Sequence, residues 1–106
     1  MIEIGSDRWK VLLAYMHLEG LEPDDTDAKL VQSMHTAAVC YLAEAGVSEA
    51  GLQHSENPEE DLALYELTLQ SMTNDMYDRR GSAASAAVGV RDWINQLKGT
   101  CMEGYL

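Results

Sequence analysis

The chain has 106 residues, of which 46% are hydrophobic and 24% charged, and its formal net charge is −11. These values describe one globular domain over residues 1–106 rather than a disordered segment, and no apolar run approaches the roughly 20 residues needed to cross a bilayer. A field this acidic repels a phosphate backbone, which argues against direct grasp of DNA or RNA.

The charge is concentrated. Between Glu19 and Asp61 eleven acids face one base, Lys29, while the remainder is close to neutral and carries one basic pair, Arg79-Arg80. The start, Met1-Ile2-Glu3-Ile4-Gly5, lacks the basic and long apolar regions of a signal peptide, so a cytoplasmic setting is expected. Two cysteines without a Cys-x-x-Cys spacing suit that compartment as free thiols. Cys40, among apolar neighbours, reads as a small core residue, and Cys101 as part of a tail.

In chain order the first predicted helix begins at Ser6, a good cap, with Asp7 suited to the positive helix terminus. Trp9, Leu12, Leu13 and Met16 fall at i, i+3, i+4 and i+7 and share one face. Glu19-Gly20-Leu21-Glu22-Pro23 then breaks the helix. A second helix opens at Asp24, Asp25 or Thr26, all plausible caps. Leu30, Met34, Ala37, Ala38, Tyr41, Leu42 and Ala45 give it a sustained stripe, and Gly46 stands where a left-handed C-terminal cap belongs.

Residues 47–56 read as a polar loop. A third helix starts at Asn57-Pro58-Glu59-Glu60, with Asn57 as cap, Pro58 at the first helical position and Glu60 completing a capping box. Tyr65, Leu69, Met72 and Met76 form its main face, widened by Leu62, Leu64 and Leu67. It is expected to end between Tyr77 and Arg80. The small-residue run 81–87 reads as a flexible loop or a poorly anchored helical start. A fourth helix carries Val90, Trp93, Ile94 and Leu97 and stops at Gly99, leaving a flexible tail over 100–106. The fold expected is therefore all-α, a small bundle of about four helices with a flexible loop and C-terminal tail.

Catalytic chemistry is hard to assemble from these residues. Neither phosphate-loop pattern, Gly-x-x-x-x-Gly-Lys-Ser/Thr or Gly-x-Gly-x-x-Gly, occurs. His17, His35 and His54 lack a second histidine or cysteine at i+3 or i+4, and read as solvated or ordinarily hydrogen-bonded. Asp24-Asp25-Thr26-Asp27 lacks the glycine and terminal glutamate of a calcium loop and reads as an acidic capping turn. The expectation is no catalytic, cofactor or metal residue, and a protein that is not an enzyme.

The order of the pieces resembles the head–tail connector, or DNA-packaging adaptor, family of tailed bacteriophages and prophages. The likeness runs from Ser6 to Lys98 and rests on sequential motifs rather than on a catalytic signature. These are the first helix, the acidic turn Asp24-Asp25-Thr26-Asp27 leading to Ala37-Ala38-Val39-Cys40-Tyr41-Leu42, the third-helix end Met76-Tyr77-Asp78-Arg79-Arg80, and Ile94-Asn95-Gln96-Leu97-Lys98. Asn74-Asp75 departs from the bulkier residues or histidine common there.

The resemblance implies a structural subunit at the virion's head–tail junction, assembled in the host cytoplasm. It implies a homo-oligomeric ring of about twelve copies under the portal protein, lining the DNA channel and meeting a tail-side connector or stopper protein. Such a ring would carry on the order of 130 negative charges, which lets DNA slide without sticking and opposes ring closure, so the free protein is expected to be a monomer. Neither sequence-specific nucleic-acid binding nor a membrane role is expected. Tyr77, Arg79 and Arg80 are the candidate interface, because an arginine fork suits the carboxylates of an acidic neighbour. The alternative reading is an acidic DNA mimic that inhibits a host nucleic-acid-binding enzyme.

Overall fold

The computed structural model describes residues 1–79 and 88–102, and of residues 88 and 89 the backbone alone. Among the described residues five helices follow one another: α1 (Asp7–Tyr15), α2 (Thr26–Glu44), α3 (Glu49–Gln53), α4 (Pro58–Asp78) and α5 (Val88–Thr100). No strand occurs among the described residues. The protein is a small all-α bundle.

The helix ends follow local chemistry. Ser6 Oγ accepts from the Trp9 N–H at 3.2 Å and caps α1. Of the three candidate caps for α2 the chain uses Asp25, whose Oδ1 accepts from the Asp27 N–H at 2.9 Å. Gly46, at φ 93°, closes α2 in a Schellman arrangement: the Gly46 N–H donates to Ala43 O and the Val47 N–H to Leu42 O. A side chain at 46 would meet no atom within 4 Å, so only backbone strain opposes it. Gly46→Ala is therefore expected to cost about 1 kcal/mol in chemical denaturation, without change in helix content.

Helix α1 ends the same way with a residue that sequence reasoning passed over. His17 holds φ 57°, its N–H donates to Ala14 O, and the Leu18 N–H donates to Leu13 O. An exposed L-residue sits where glycine is favoured. His17→Gly is expected to raise stability by about 0.5 kcal/mol, seen as a higher midpoint at unchanged m-value.

Two apolar clusters share the long helices α2 and α4. The first joins Ala38 and Leu42 of α2, Val47, Leu52 of α3, Tyr65 and Leu69 of α4, and Val90, Ile94 and Leu97 of α5. The second gathers Ile2, the expected α1 face Trp9, Leu12, Leu13 and Met16, and Ala28 and Val31 of α2. Leu42, Leu52, Leu69 and Leu97 are fully buried, each contributing about 1.5–3 kcal/mol. Thr68 and Thr73, also buried, donate to Leu64 O and Leu69 O at 2.7 Å and so satisfy their hydroxyls within α4.

Several expectations are corrected. The buried stripe of α2 is Ala28, Val31, His35, Ala38 and Leu42. Of the expected stripe Ala38 and Leu42 are buried, Leu30, Met34 and Ala45 are half-buried, and Ala37 and Tyr41 are exposed. The helix is rotated from the expected face because α4 lies against its other side. Cys40 is exposed rather than core, and it and the half-buried Cys101 are free thiols.

The polar loop contains α3, capped by Ser48 Oγ accepting from the Gly51 N–H at 3.0 Å. Pro58 does open α4, but Asn57 makes no side-chain cap; Ser55 Oγ instead donates to Asp61 Oδ2 at 2.7 Å. Helix α5 runs through Gly99, and the start of the expected tail is docked: the Met102 N–H donates to Gly51 O at 3.2 Å. The 81–87 loop and residues 103–106 lie outside the described residues.

Candidate interface at the end of α4

The three residues proposed from sequence fare differently. Tyr77 is half-buried against the second cluster, and its hydroxyl donates to Asp27 Oδ2 at 3.0 Å. That bond ties the last turn of α4 to the first turn of α2 across 50 residues of sequence. Tyr77 is thus held by a bond within its own chain. Arg79 is the C-cap of α4 and is exposed; its N–H donates to Asp75 O at 3.0 Å. Arg80 lies outside the described residues.

A second polar assembly, unforeseen from sequence, sits where α1 crosses α4. The Arg8 guanidinium bonds Glu66 directly and stands 3.9 Å from Glu49, joining α1, α3 and α4. All three side chains are partly exposed, so the pairs hold position more than they add stability. Tyr15 and Ser71 share a hydroxyl–hydroxyl hydrogen bond of 2.6 Å further along the same crossing. Between them runs a groove with Val11 and Leu62 as its apolar walls and Asp7, Arg8, Glu66 and Gln70 around them.

On the other side of Arg8 lies a cavity of about 340 Å³ bounded by the N-terminal segment, α2, the start of α3 and α4. Ile2, Val39, Ala43 and Val47 supply its apolar lining, and His35 and Tyr65 are among its polar members. Gln32 Nε2 donates to Ile2 O at 2.8 Å and fastens the N-terminal segment over α2. His35 is only 3% exposed, and its Nδ1 has no hydrogen-bond partner among the described residues. Its pKa is lowered to about 4 by burial first, then by the positive charges of Arg8 and the N-terminal ammonium. The Tyr65 phenol is raised to about 12 by burial, with Glu49 and Glu66 adding to the shift. Both groups are neutral at pH 7. No ordinarily hydrogen-bonded histidine is found at position 35, contrary to the sequence expectation.

Among the described residues no group of three or more histidine, cysteine or acidic side chains is placed to hold a metal ion, and no helix is long and apolar enough to cross a membrane. Against known proteins, no family model, no curated protein and no solved structure matches this chain.

Proposed function

We propose that this chain is a head–tail connector subunit of a tailed bacteriophage or prophage. It would form a ring of about twelve copies beneath the portal, join capsid to tail and line the DNA channel. The reading rests on the order of the sequence motifs, and one observation supports treating two of them as a unit. The acidic turn and the Tyr77-Asp78-Arg79 segment, which both carry the resemblance, meet through the Tyr77–Asp27 bond. Arg79, two residues after Tyr77, and Asp24 and Asp25, which precede Asp27, are all exposed, so the segments joined by that bond carry charges of both signs. A surface of that kind suits contact between copies in a head-to-tail ring, where each subunit presents its two unlike faces to its neighbours.

The acidity fits the same role. A like-charged lumen holds DNA only weakly, and mutual repulsion keeps free subunits apart until a template gathers them. The same acidity is the feature that favours the DNA-mimic alternative, in which carboxylates occupy a nuclease's phosphate sites.

Co-sedimentation with the portal oligomer encoded in the same phage or prophage tests the first reading. A saturable complex at about one copy per portal chain is expected. A folded monomer that ignores the portal would reject the connector role. Salt-sensitive inhibition of a host nuclease by that monomer would then establish the mimic.

A further inference from the structure

The cavity beneath the N-terminal segment is lined by two buried polar side chains, one of which has a nitrogen that the fold leaves unused. His35 is 3% exposed and Tyr65 2%, and both line the same space. His35 Nδ1 is the buried side-chain atom left without a hydrogen-bond partner among the described residues. The other polar groups nearby are engaged: Thr36 donates to Gln32 O, and Ser48 Oγ accepts from the Gly51 N–H. A buried polar atom left without a partner is destabilising, so the orphaned His35 nitrogen facing a cavity calls for an occupant.

The lining says what kind. Its volume of about 340 Å³ lies at the small end of ligand pockets. Ile2, Val39, Ala43 and Val47 offer an apolar wall for a ring or a short branched chain. Arg8 and the Met1 ammonium are the cations described at the edge, and Arg8 is already paired with Glu66 and near Glu49. An anionic guest would have to give up its hydration against two neutral anchors, His35 and Tyr65. A hydroxyl, by contrast, can donate to the imidazole and accept from the phenol.

We propose that this cavity is a binding site for a small neutral molecule of single-ring size bearing a hydroxyl group, with His35 and Tyr65 as its polar anchors. The exposed Cys40 thiol lines the cavity, whereas Cys101 is not among its lining residues and sits behind one of them, Ser48, at the end of α5. A guest would shield the first thiol more than the second. The inference does not depend on the ring reading.

Phenol and benzoate, added to the full chain, serve as probes. Phenol is expected to give saturable shifts of the Val39, Ala43 and Val47 methyl resonances and to slow Cys40 alkylation at least threefold, more than it slows that of Cys101. Benzoate is expected to bind at least tenfold more weakly. His35→Phe keeps a ring of similar size but removes the nitrogens, and Tyr65→Phe removes only the hydroxyl; each should weaken phenol at least fivefold. Ala43→Leu, which fills the space without touching either anchor, should abolish binding. Absence of saturable shifts in the folded wild-type chain would overturn the site. Equal affinity for benzoate would overturn the neutral class, and unchanged phenol affinity in both anchor variants would overturn the assignment of His35 and Tyr65.

Discussion

Between pH 7 and pH 4 the folded state is expected to lose about 3 kcal/mol of stability through His35 alone. The imidazole is nearly sealed from solvent, and its pKa falls from 6.5 to about 4 in the folded chain. Below pH 6.5 the unfolded chain takes up this proton and the folded chain does not, so each step down in pH favours unfolding. The loss grows until the folded pKa is reached and then levels off. Arg8 and the N-terminal ammonium oppose the charge, while Glu49, Tyr65 and Cys40 complete the titratable groups lining the cavity. Carboxylates titrate in the same range, so the measurement is a difference. Denaturant unfolding of wild type and His35→Phe should diverge by about 3 kcal/mol more at pH 4 than at pH 7, the variant being the more acid-resistant. Parallel pH profiles would mean that His35 takes up its proton in the folded chain as easily as in the unfolded one.

Gly51→Ala should destabilise the chain by about 2 kcal/mol even though alanine is the better helix former by roughly 1 kcal/mol. A Cβ at this position would stand 2.8 Å from Met102 O and 3.1 Å from Ser48 Oγ, and would collide with Cys101 Sγ. The thiol can turn away, but the Met102 carbonyl is backbone. Making room for it means lifting the end of α5 from α3 and breaking the Met102 N–H bond to Gly51 O. That end cannot move freely, because Leu97 and Ile94 lie in the same cluster as Leu52. The double variant Gly51→Ala, Cys101→Ala separates the two contacts and should recover only part of the loss. Hydrogen exchange should show the Met102 amide, and then Cys101, losing protection first. A neutral or stabilising effect of Gly51→Ala would show that α5 does not rest on α3.

Much of this architecture is written locally. The Trp9, Leu12, Leu13, Met16 face of α1 and the Val90, Ile94, Leu97 face of α5 are both buried as their spacing predicts. Pro58 opens α4 and Gly46 closes α2, because a fixed φ and a positive φ are properties of single residues. Such signals need no partner to be read. The motif order behind the connector reading is likewise a property of the chain alone.

Other features needed the assembled molecule. On α2 two apolar stripes lie side by side, and periodicity cannot rank them; the buried one contains His35, which from sequence reads as solvated or ordinarily hydrogen-bonded. The five residues of α3 are too few to form a helix unaided, and what holds them is Leu52 in the core and the α5 terminus on Gly51. Tyr77 looks outward in sequence, yet its partner Asp27 waits 50 residues away. The cavity, the Arg8 junction and the shift in His35 are all products of helices brought together. Local sequence encodes what one turn of backbone can satisfy; burial, charge pairing and enclosed space arise only when distant segments exclude water from one another.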